Sequence, residues 1–233
     1  MTMTNHRMSL FINIICKNVP RMSEAGPYAA FRPLLPQMTD VIVWLICYDG
    51  EGAGHERELW VNWPHRLLQS MRQKLSGNVM DRVQDVVSTF TSMHEVKDIL
   101  VKAPNVVLRS AAPIVLHIAS HGVSEYPGNL VGRRTEVDDS VSAWTVLTSW
   151  LNSQSYTNRV RHVDLGACHT KAVARSWSSE RPAVTGLAGD ATWPASAETC
   201  VNVMVRVVSR ILGELDASRA AQRRDERVKR RKT

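Results

Sequence analysis

Short, continuous runs of apolar and often β-branched residues constrain the fold of this chain more than any other feature. Such runs are typical of strands buried on both faces, because a strand with one side in solvent alternates apolar and polar residues. Helical patterns lie between the runs, and strands that alternate with helices pair in parallel through crossover connections. The sequence therefore predicts an α/β fold, a three-layer α/β/α sandwich with a mostly parallel central sheet. The predicted strands cover residues 10–16, 41–48, 113–119, 160–165 and 183–187.

Amphipathic spacing predicts the helices of this sandwich. Val79, Val83, Val86 and Phe90 recur every three or four residues, which predicts one long helix that continues toward Leu100. In sheets of this kind, functional residues gather beyond the carboxyl ends of the strands. The remaining helices are predicted over residues 65–75, 139–151 and 197–215.

The positive charge of the chain is concentrated at its C-terminal end. Residues 217–233 carry eight basic and two acidic side chains, a net charge of +6, whereas residues 1–216 carry 21 basic and 20 acidic ones. A length of 233 residues suits one domain, so we expect a single domain over 1–216 and a basic helix extension or tail over 217–233. The tail has no aromatic residues for base stacking and no apolar face to bury. A solvated extension that folding does not need is therefore expected, rather than a nucleic-acid-binding element.

The cysteines and the apolar segments exclude several other classes. Cys16, Cys47, Cys168 and Cys200 form no closely spaced pair, which argues against a disulfide framework or a zinc knuckle. No cofactor or metal is expected. The apolar run at 10–16 is interrupted and no small-residue cleavage site follows it, which argues against a signal peptide. No segment approaches the ~20 apolar residues that span a bilayer. We therefore expect a cytoplasmic protein with no membrane partner.

Two predicted strands end in residues that carry chemistry. His121 follows the strand at 113–119, and Cys168 follows the strand at 160–165. Neighbouring parallel strands would place the two side chains at one sheet edge, where an imidazole can take the proton of a thiol nucleophile. Gly122 leaves backbone N–H groups able to approach a substrate carbonyl as an oxyanion hole. A cysteine at a strand end is commonly a small core residue when it occurs alone, but the pair favours a catalytic dyad.

Two short phrases, Ser-His-Gly at 120–122 and Gly-Ala-Cys at 166–168, resemble the motifs of the caspase-like cysteine peptidases. That clan includes caspases, metacaspases, separases and the bacterial CHAT domains. The resemblance covers roughly residues 113–205, under half of the chain. It implies the caspase-like fold and a cysteine endopeptidase that cleaves a protein or peptide substrate, with room for a regulatory protein partner. By analogy with bacterial members, it also implies a place in a defence or cell-death system.

The resemblance implies roles for individual residues as well. Cys168 would attack the scissile carbonyl carbon, and His121 would protonate the leaving amine. The N–H groups of Gly122 and Cys168 would hold the oxyanion. These four groups would make up the catalytic site, with no metal among them.

Residues 186–193 resemble the segment that lines the specificity pocket in CHAT-type relatives, which makes Asp190 and Trp193 candidate substrate-binding residues. Gly166 would lie at the pocket floor, where arginine-specific members carry an acidic residue and caspases a glutamine. A carboxylate at Asp190, or at Asp164, would favour a basic P1 side chain. Helix capping by Asp190, packing by Trp193 and internal pairing of Asp164 within its strand are the alternatives left open.

Two other functions stay open at this stage. One is a catalytically silent caspase-like interaction module, and the other is a nucleic-acid-associated protein that uses the basic tail. A metal pair of His117 and His121 is a further alternative, because residues four apart on a strand face the same way. No carboxylate or third ligand lies close to that pair in the sequence.

Overall fold

The apolar runs of the sequence form the strands of a parallel sheet. The computed structural model describes residues 39–49, 62–122, 129–131, 141–177, 182–189 and 195–232. Its strands are β1 (Val41–Tyr48), β2 (Val83–Phe90), β3 (Ile114–Ala119), β4 (His121–Gly122), β5 (Asn129–Val131), β6 (Val141–Ser142), β7 (Val160–Gly166) and β8 (Ala183–Gly186). Five of them form the parallel sheet, in the order β2-β1-β3-β7-β8, and β4, β5 and β6 form a small antiparallel sheet.

Helices cover both faces of the parallel sheet. They are α1 (Trp63–Lys74), α2 (Gly77–Met80), α3 (Met93–Val101), α4 (Asn105–Arg109), α5 (Ala143–Ser153), α6 (Lys171–Ser176) and α7 (Ala195–Lys232), with a 3-10 turn at Ser155–Arg159. Apolar residues of α3, α4 and α5 pack on one face, which we call the α5 face. Apolar residues of α1 and α7 pack on the other, the α7 face. The predicted three-layer α/β/α sandwich with a mostly parallel sheet is therefore confirmed.

The central strand β1 shows why a strand in the middle of this sheet is an unbroken apolar run. Every residue of β1 is buried. Trp44 and Ile46 point to the α5 face, whereas Val43 and Leu45 point to the α7 face. Because both faces are covered by helices, neither side of the strand can be polar.

Most predicted elements are confirmed. The predicted strands at 41–48, 113–119, 160–165 and 183–187 correspond to β1, β3, β7 and β8, with ends shifted by at most one residue. The predicted helices at 65–75, 139–151 and 197–215 fall within or overlap α1, α5 and α7. The predicted strand at 10–16 lies outside the described residues.

The long helix predicted from Val79 toward Leu100 is wrong in its central part. Val83–Phe90 forms the edge strand β2, which pairs in parallel with β1, and the separate helices α2 and α3 lie on either side of it. Half of the strand's eight residues are β-branched, which favours a strand over a helix. The apolar spacing mimicked a helix because an edge strand is only partly covered, so that Val87 is exposed while Val86 packs on the α5 face.

The helix α7 is continuous over 38 residues and contains the predicted tail. Its first half packs on the sheet through buried residues such as Met204, Val208 and Leu212. Arg219, inside the predicted tail, donates hydrogen bonds to the buried carboxylate of Asp40. The extension therefore contacts the domain at its base, a contact that the composition of the tail did not predict. Among the described residues, no helix has both the length and the apolarity needed to cross a membrane.

Candidate active site

The carboxyl ends of β3 and β7 lie side by side. The two strands pair in parallel, with Ala119 at the end of β3 opposite Gly166 at the end of β7. This confirms the prediction that these two strands are neighbours. His121 and Cys168 each follow a strand end by two residues. Both residues therefore lie beyond the same edge of the parallel sheet.

His121 lies in the short strand β4, directly beyond β3. Its backbone pairs with Val131 of β5. Its half-buried imidazole meets the ring of Tyr48 edge-on, with 5.9 Å between ring centroids. Tyr48 is the buried last residue of β1. The end of a third strand therefore contributes an aromatic wall that limits the positions of this imidazole.

Gly122 brings the chain beyond β3 into direct contact with Cys168. A Cβ atom on Gly122 would lie 1.9 Å from the carbonyl oxygen and 2.8 Å from the backbone nitrogen of Cys168. No residue with a side chain can approach another backbone this closely. The structure thus brings His121, Gly122 and Cys168 together, and the two backbone nitrogens expected to hold an oxyanion belong to segments that touch.

The turn that carries Cys168 is locally strained. The thiol residue itself is half-buried. His169, which follows it, has a φ of 59°, a left-handed conformation that is uncommon for any residue other than glycine. The hydroxyl of Thr170 donates a hydrogen bond to the carbonyl oxygen of Ala167 at 2.7 Å, which closes the turn before α6 begins. Strain of this kind persists only where the surroundings enforce it, and it is frequent at functional sites.

The segment after β8 enforces the conformation of this turn. The backbone nitrogen of His169 donates to the carbonyl oxygen of Gly189 at 3.3 Å, and that of Lys171 donates to the carbonyl oxygen of Leu187 at 2.9 Å. Leu187 donates in return to the hydroxyl of Thr170 at 3.1 Å. These three hydrogen bonds hold residues 187–189 against the Cys168 turn. Residues 187–189 are the described part of the segment expected to line the specificity pocket. Asp190 and Trp193 lie outside the described residues.

Gly166 has an interior neighbour. A Cβ atom on Gly166 would lie 2.5 Å from Cε1 of His117, on the α7 face of the sheet. The absence of a side chain here makes room for a buried imidazole. A substrate-binding role for Gly166 stays a prediction.

That imidazole belongs to a polar network inside the sheet. The register places His117 of β3, Asp164 of β7 and Thr185 of β8 in one row across three strands. His117 Nδ1 lies 2.9 Å from Asp164 Oδ2, and the Thr185 hydroxyl donates to Asp164 Oδ1 at 2.6 Å. Trp63 of α1 donates its indole N–H to His117 Nε2 at 3.1 Å, and His162 Nε2 lies 2.9 Å from the Thr185 hydroxyl.

The donors in this network point toward one carboxylate, which fixes the protonation of each member. His117 accepts at Nε2 from Trp63, so its proton is on Nδ1 and is donated to Asp164. Burial disfavours an ionised Asp164, but the hydrogen bonds from His117 and Thr185 outweigh it and hold the pKa of this carboxyl below its usual range. Burial lowers the pKa of His162, whose Nδ1 is buried and has no hydrogen-bond partner. Burial therefore favours a neutral His162, and the hydrogen bonds favour a charged Asp164.

Two members of this row form a cluster of metal-ligand type with Cys200 of α7. Single ligand atoms of His117, Asp164 and Cys200 lie within 4.8 Å of one another, and all three side chains are buried. Both ring nitrogens of His117 already have partners, and burial together with the adjacent Asp164 raises the pKa of the Cys200 thiol, which favours its protonated form. Hydrogen bonding alone therefore satisfies this cluster.

Two alternatives from the sequence are corrected by this network. Asp164 is 2% exposed and bound on both oxygens, so it does not provide a carboxylate for a substrate. The ligand-type neighbours of His117 are Asp164 and Cys200, and His121 belongs to a different sheet. The alternative that Asp164 is paired internally is confirmed. Its partners His117 and Thr185 were not predicted, although buried polar groups need partners.

Two comparisons with known protein sequences identify no relative of this chain. No protein-family model matches the chain, and no curated protein matches it significantly in sequence. The function proposed below therefore rests on the residues and their geometry.

Proposed function

We propose that this chain is a caspase-like cysteine endopeptidase in which Cys168 is the nucleophile and His121 the general acid and base. One observation carries the proposal: the two residues follow neighbouring parallel strands at one edge, and Gly122 touches the backbone of Cys168. A thiol is a useful nucleophile only where an imidazole can accept its proton and N–H groups can receive the charge of the intermediate. Each of these groups is present at this edge.

In the first half of the reaction, the thiol proton passes to the imidazole of His121 and the Cys168 sulfur attacks the carbonyl carbon of the scissile peptide. A carbon–sulfur bond forms while the carbonyl π electrons move onto the oxygen. The N–H groups of Gly122 and Cys168 donate hydrogen bonds to that oxyanion. When the carbonyl re-forms, the carbon–nitrogen bond breaks and His121 gives its proton to the leaving amine.

In the second half, water hydrolyses the thioester. His121 accepts a proton from the water as its oxygen attacks the carbonyl carbon, and the oxyanion again receives hydrogen bonds from Gly122 and Cys168. Collapse of this intermediate breaks the carbon–sulfur bond, His121 returns its proton to the sulfur, and the carboxylic acid product leaves and loses its proton to solvent. No cofactor enters this sequence of steps.

Two further features support a reactive rather than a structural Cys168. The residue after Cys168, His169, has a strained backbone conformation, and three hydrogen bonds to residues 187–189 maintain this turn. In contrast, Cys47 and Cys200 are buried, and burial raises the pKa of both thiols. Of the described cysteines, Cys168 is thus the one that combines accessibility with a neighbouring histidine.

The substrate class follows from the same resemblance and is a narrower proposal. A protein segment would lie across the edge formed by β4 and the Cys168 turn, with its P1 side chain toward residues 187–193. Asp190 would favour arginine or lysine at P1, and Trp193 would form one wall. Profiling of cleavage sites in a peptide library, with Asp190→Asn as the comparison, tests this. Cleavage after apolar residues by both proteins would assign Asp190 to helix capping.

Thiol labelling tests the dyad without any knowledge of the substrate. Native protein is treated with iodoacetamide over a range of pH, and each cysteine is quantified by peptide mass spectrometry. Cys168 should react at least about tenfold faster at neutral pH than Cys47 and Cys200, and His121→Gln should slow Cys168 at least about tenfold while leaving the rates of the two buried thiols unchanged. Equal reaction of Cys168 in the native and His121→Gln proteins would contradict the dyad and favour a silent interaction module.

Proteolysis tests the enzyme itself. The native protein and Cys168→Ser are each incubated with a denatured protein extract, and newly formed N-termini are identified. New termini that depend on Cys168 are expected. Identical patterns in the two samples, from a protein whose Cys168 labels rapidly, would mean that the thiol serves another acyl transfer.

A further inference from the structure

The last part of α7 extends beyond the domain as a single helix. Leu215 is partly buried against the α7 face, and from Ala220 through Arg231 every side chain is exposed. At 1.5 Å per residue, residues 220–232 extend about 20 Å from the body. This stretch consists mainly of alanine, glutamine, arginine and lysine, which favour helix, and it propagates from a helix already formed on the sheet.

An ion-pair cluster fixes the base of this extension. Arg82 donates to Asp216 at 2.7 and 2.9 Å and to Asp40 at 2.7 Å. Arg219 donates to the same Asp40 at 3.0 Å, and the two arginines hold the pKa of that buried carboxyl below its usual range. The direction in which the helix leaves the domain is thereby set by the buried Asp40, two half-buried arginines and the exposed Asp216. The extension is therefore presented as a rigid element.

The arginines of the extension share one side of the helix. Arg223, Arg227 and Arg230 follow one another at spacings of four and three residues, which aligns them along one row, and Arg224 and Arg231, seven apart, form the adjacent row. We call these five residues the arginine face. The opposite side carries a mixture of charges, as Asp225, Lys229 and Lys232 follow each other at spacings of four and three.

The composition of the extension restricts what can bind there. Like charges three and four residues apart destabilise a helix, which a polyanion would relieve. Between residues 217 and 233, Val228 is the sole aliphatic side chain larger than alanine and there is no aromatic residue. The extension therefore lacks an apolar stripe for insertion into a membrane surface, an apolar seam for a partner helix and aromatic rings for single-stranded bases.

We propose that the arginine face binds the phosphate backbone of double-stranded DNA without sequence specificity. A helix is about 10–12 Å across and the major groove of B-form DNA is about 12 Å wide, so the rod fits the groove while its arginines reach the phosphates on either side. Guanidinium groups suit phosphates because they form paired hydrogen bonds. The narrow major groove of A-form RNA does not admit a helix in this way. This activity is independent of the dyad and would hold the domain on DNA.

Fluorescence anisotropy with a mixed-sequence duplex of about 30 base pairs tests the proposal on the full chain. With four or five phosphate contacts, the logarithm of the association constant should fall with the logarithm of salt concentration at a slope of about −4. Arg223→Gln combined with Arg227→Gln should weaken binding at least about tenfold and make the slope shallower by about 2. The matched control, Lys229→Gln with Lys232→Gln, removes the same charge from the opposite side and should change the affinity less than about threefold.

Several results would overturn the proposal. They are the absence of duplex binding at low salt, equal losses in the two double variants, and preferential binding to duplex RNA, single strands or anionic vesicles. The exposed positions leave the fold unaffected, which circular dichroism of each variant verifies. Cys168→Ala should bind DNA as the native protein does, so a failure of the peptidase proposal and a failure of this one are separately visible.

Discussion

Two histidines four residues apart, His117 and His121, are each followed 47 positions later by a second residue that can carry chemistry. For His117 this residue is Asp164, to which it is hydrogen-bonded, and for His121 it is Cys168. The interior pair of His117 and Asp164 is buried between the sheet and the helices. Both ring nitrogens of His117 and both carboxylate oxygens of Asp164 have hydrogen-bond partners. The edge pair is half-buried, lies beside a strained turn and is brought together by a glycine contact. Similar residues at one spacing therefore have opposite environments. Spacing locates a pair, but its environment determines whether it stabilises the fold or is available for chemistry.

The largest expected effect separates the two pairs by activity. Cys168→Ala and His121→Ala should each lower kcat/KM for peptide cleavage by about a thousandfold or more, because a nucleophile and its base act as one unit. Cys168 lies beyond the end of β7, and His121 lies beyond β3 in the two-residue strand β4, where its side chain is half-buried. The urea midpoint should therefore change far less than the activity. Steady-state assays and urea unfolding of each variant measure the two effects.

Cys200→Ala is the matched control for the edge pair. It removes a buried thiol next to Asp164, so it should lower the free energy of unfolding by about 1–3 kcal/mol while the folded protein stays active. A twofold activity loss in Cys168→Ala, or a large loss in Cys200→Ala at full folding, would reverse the roles given to the two cysteines.

The second effect concerns the stability of the interior pair. Asp164→Asn replaces a buried acceptor that His117 and Thr185 both use, and it turns an amide N–H or an uncharged oxygen toward their donors. The free energy of unfolding should fall by about 3–5 kcal/mol, because two buried donors each lose a hydrogen bond to a charged acceptor that is worth about 1.5–3 kcal/mol. Urea titration measures this loss. If the variant does not fold, Thr185→Val provides the smaller test, because one neutral donor is worth about 1 kcal/mol.

A negligible effect of Asp164→Asn would show that the polar row is dispensable. A loss of activity in the folded variant at low temperature, larger than the folded fraction explains, would indicate that the interior pair also positions the edge pair.

The third effect tests the close contact between Gly166 and the ring of His117. Gly166→Ala places a methyl group 2.5 Å from the His117 ring, which must shift within a packed interior. Overpacking of this kind costs about 1–3 kcal/mol. Gly213→Ala is the control, since a Cβ atom there meets nothing within 4 Å and lies in a helix, where alanine is favoured by about 1 kcal/mol. Opposite shifts of the thermal midpoint are expected, and a stabilised Gly166→Ala would contradict the assigned contact.

The layer architecture could be predicted from the sequence because a strand covered by helices on both faces needs apolar residues on both sides, which gives a recognisable apolar run. β1 is a continuous apolar run and β3 is interrupted only by His117, whereas β7 and β8 include polar residues. The positions of His121 and Cys168 after β3 and β7 were enough to place both at one edge. The edge strand β2 was mistaken for a helix because it is only partly buried. Its apolar residues therefore do not alternate strictly with polar ones, and some of them recur at spacings of three and four residues.

The polar network could not be predicted with the same rules. It depends on the lateral register between strands, which sets His117 opposite Asp164 and Asp164 opposite Thr185. The register follows from the packing of whole strands and helices and leaves no local mark in a single run. The contact of Gly122 with Cys168 is hidden for the same reason, since a glycine in a sequence does not show which backbone approaches it.

The smallest expected effect is a pH dependence that belongs to the interior network alone. Burial lowers the pKa of His162, and the positive charge of Arg210 adds to this, although Asp164 opposes it. In the unfolded chain the imidazole takes up a proton near pH 6.5, whereas the folded protein resists that proton, so the unfolded state binds more protons as the pH falls. Stability is therefore fully present above pH 6.5 and declines below it, with a contribution of at most about 1.4 kcal/mol per pH unit from one group. His162→Gln can still donate to Thr185 but does not titrate, so its free energy of unfolding should decline less than that of the native protein between pH 7 and 5. Urea titrations at four pH values measure the difference, and parallel curves for the two proteins would show that His162 is not held neutral by its surroundings.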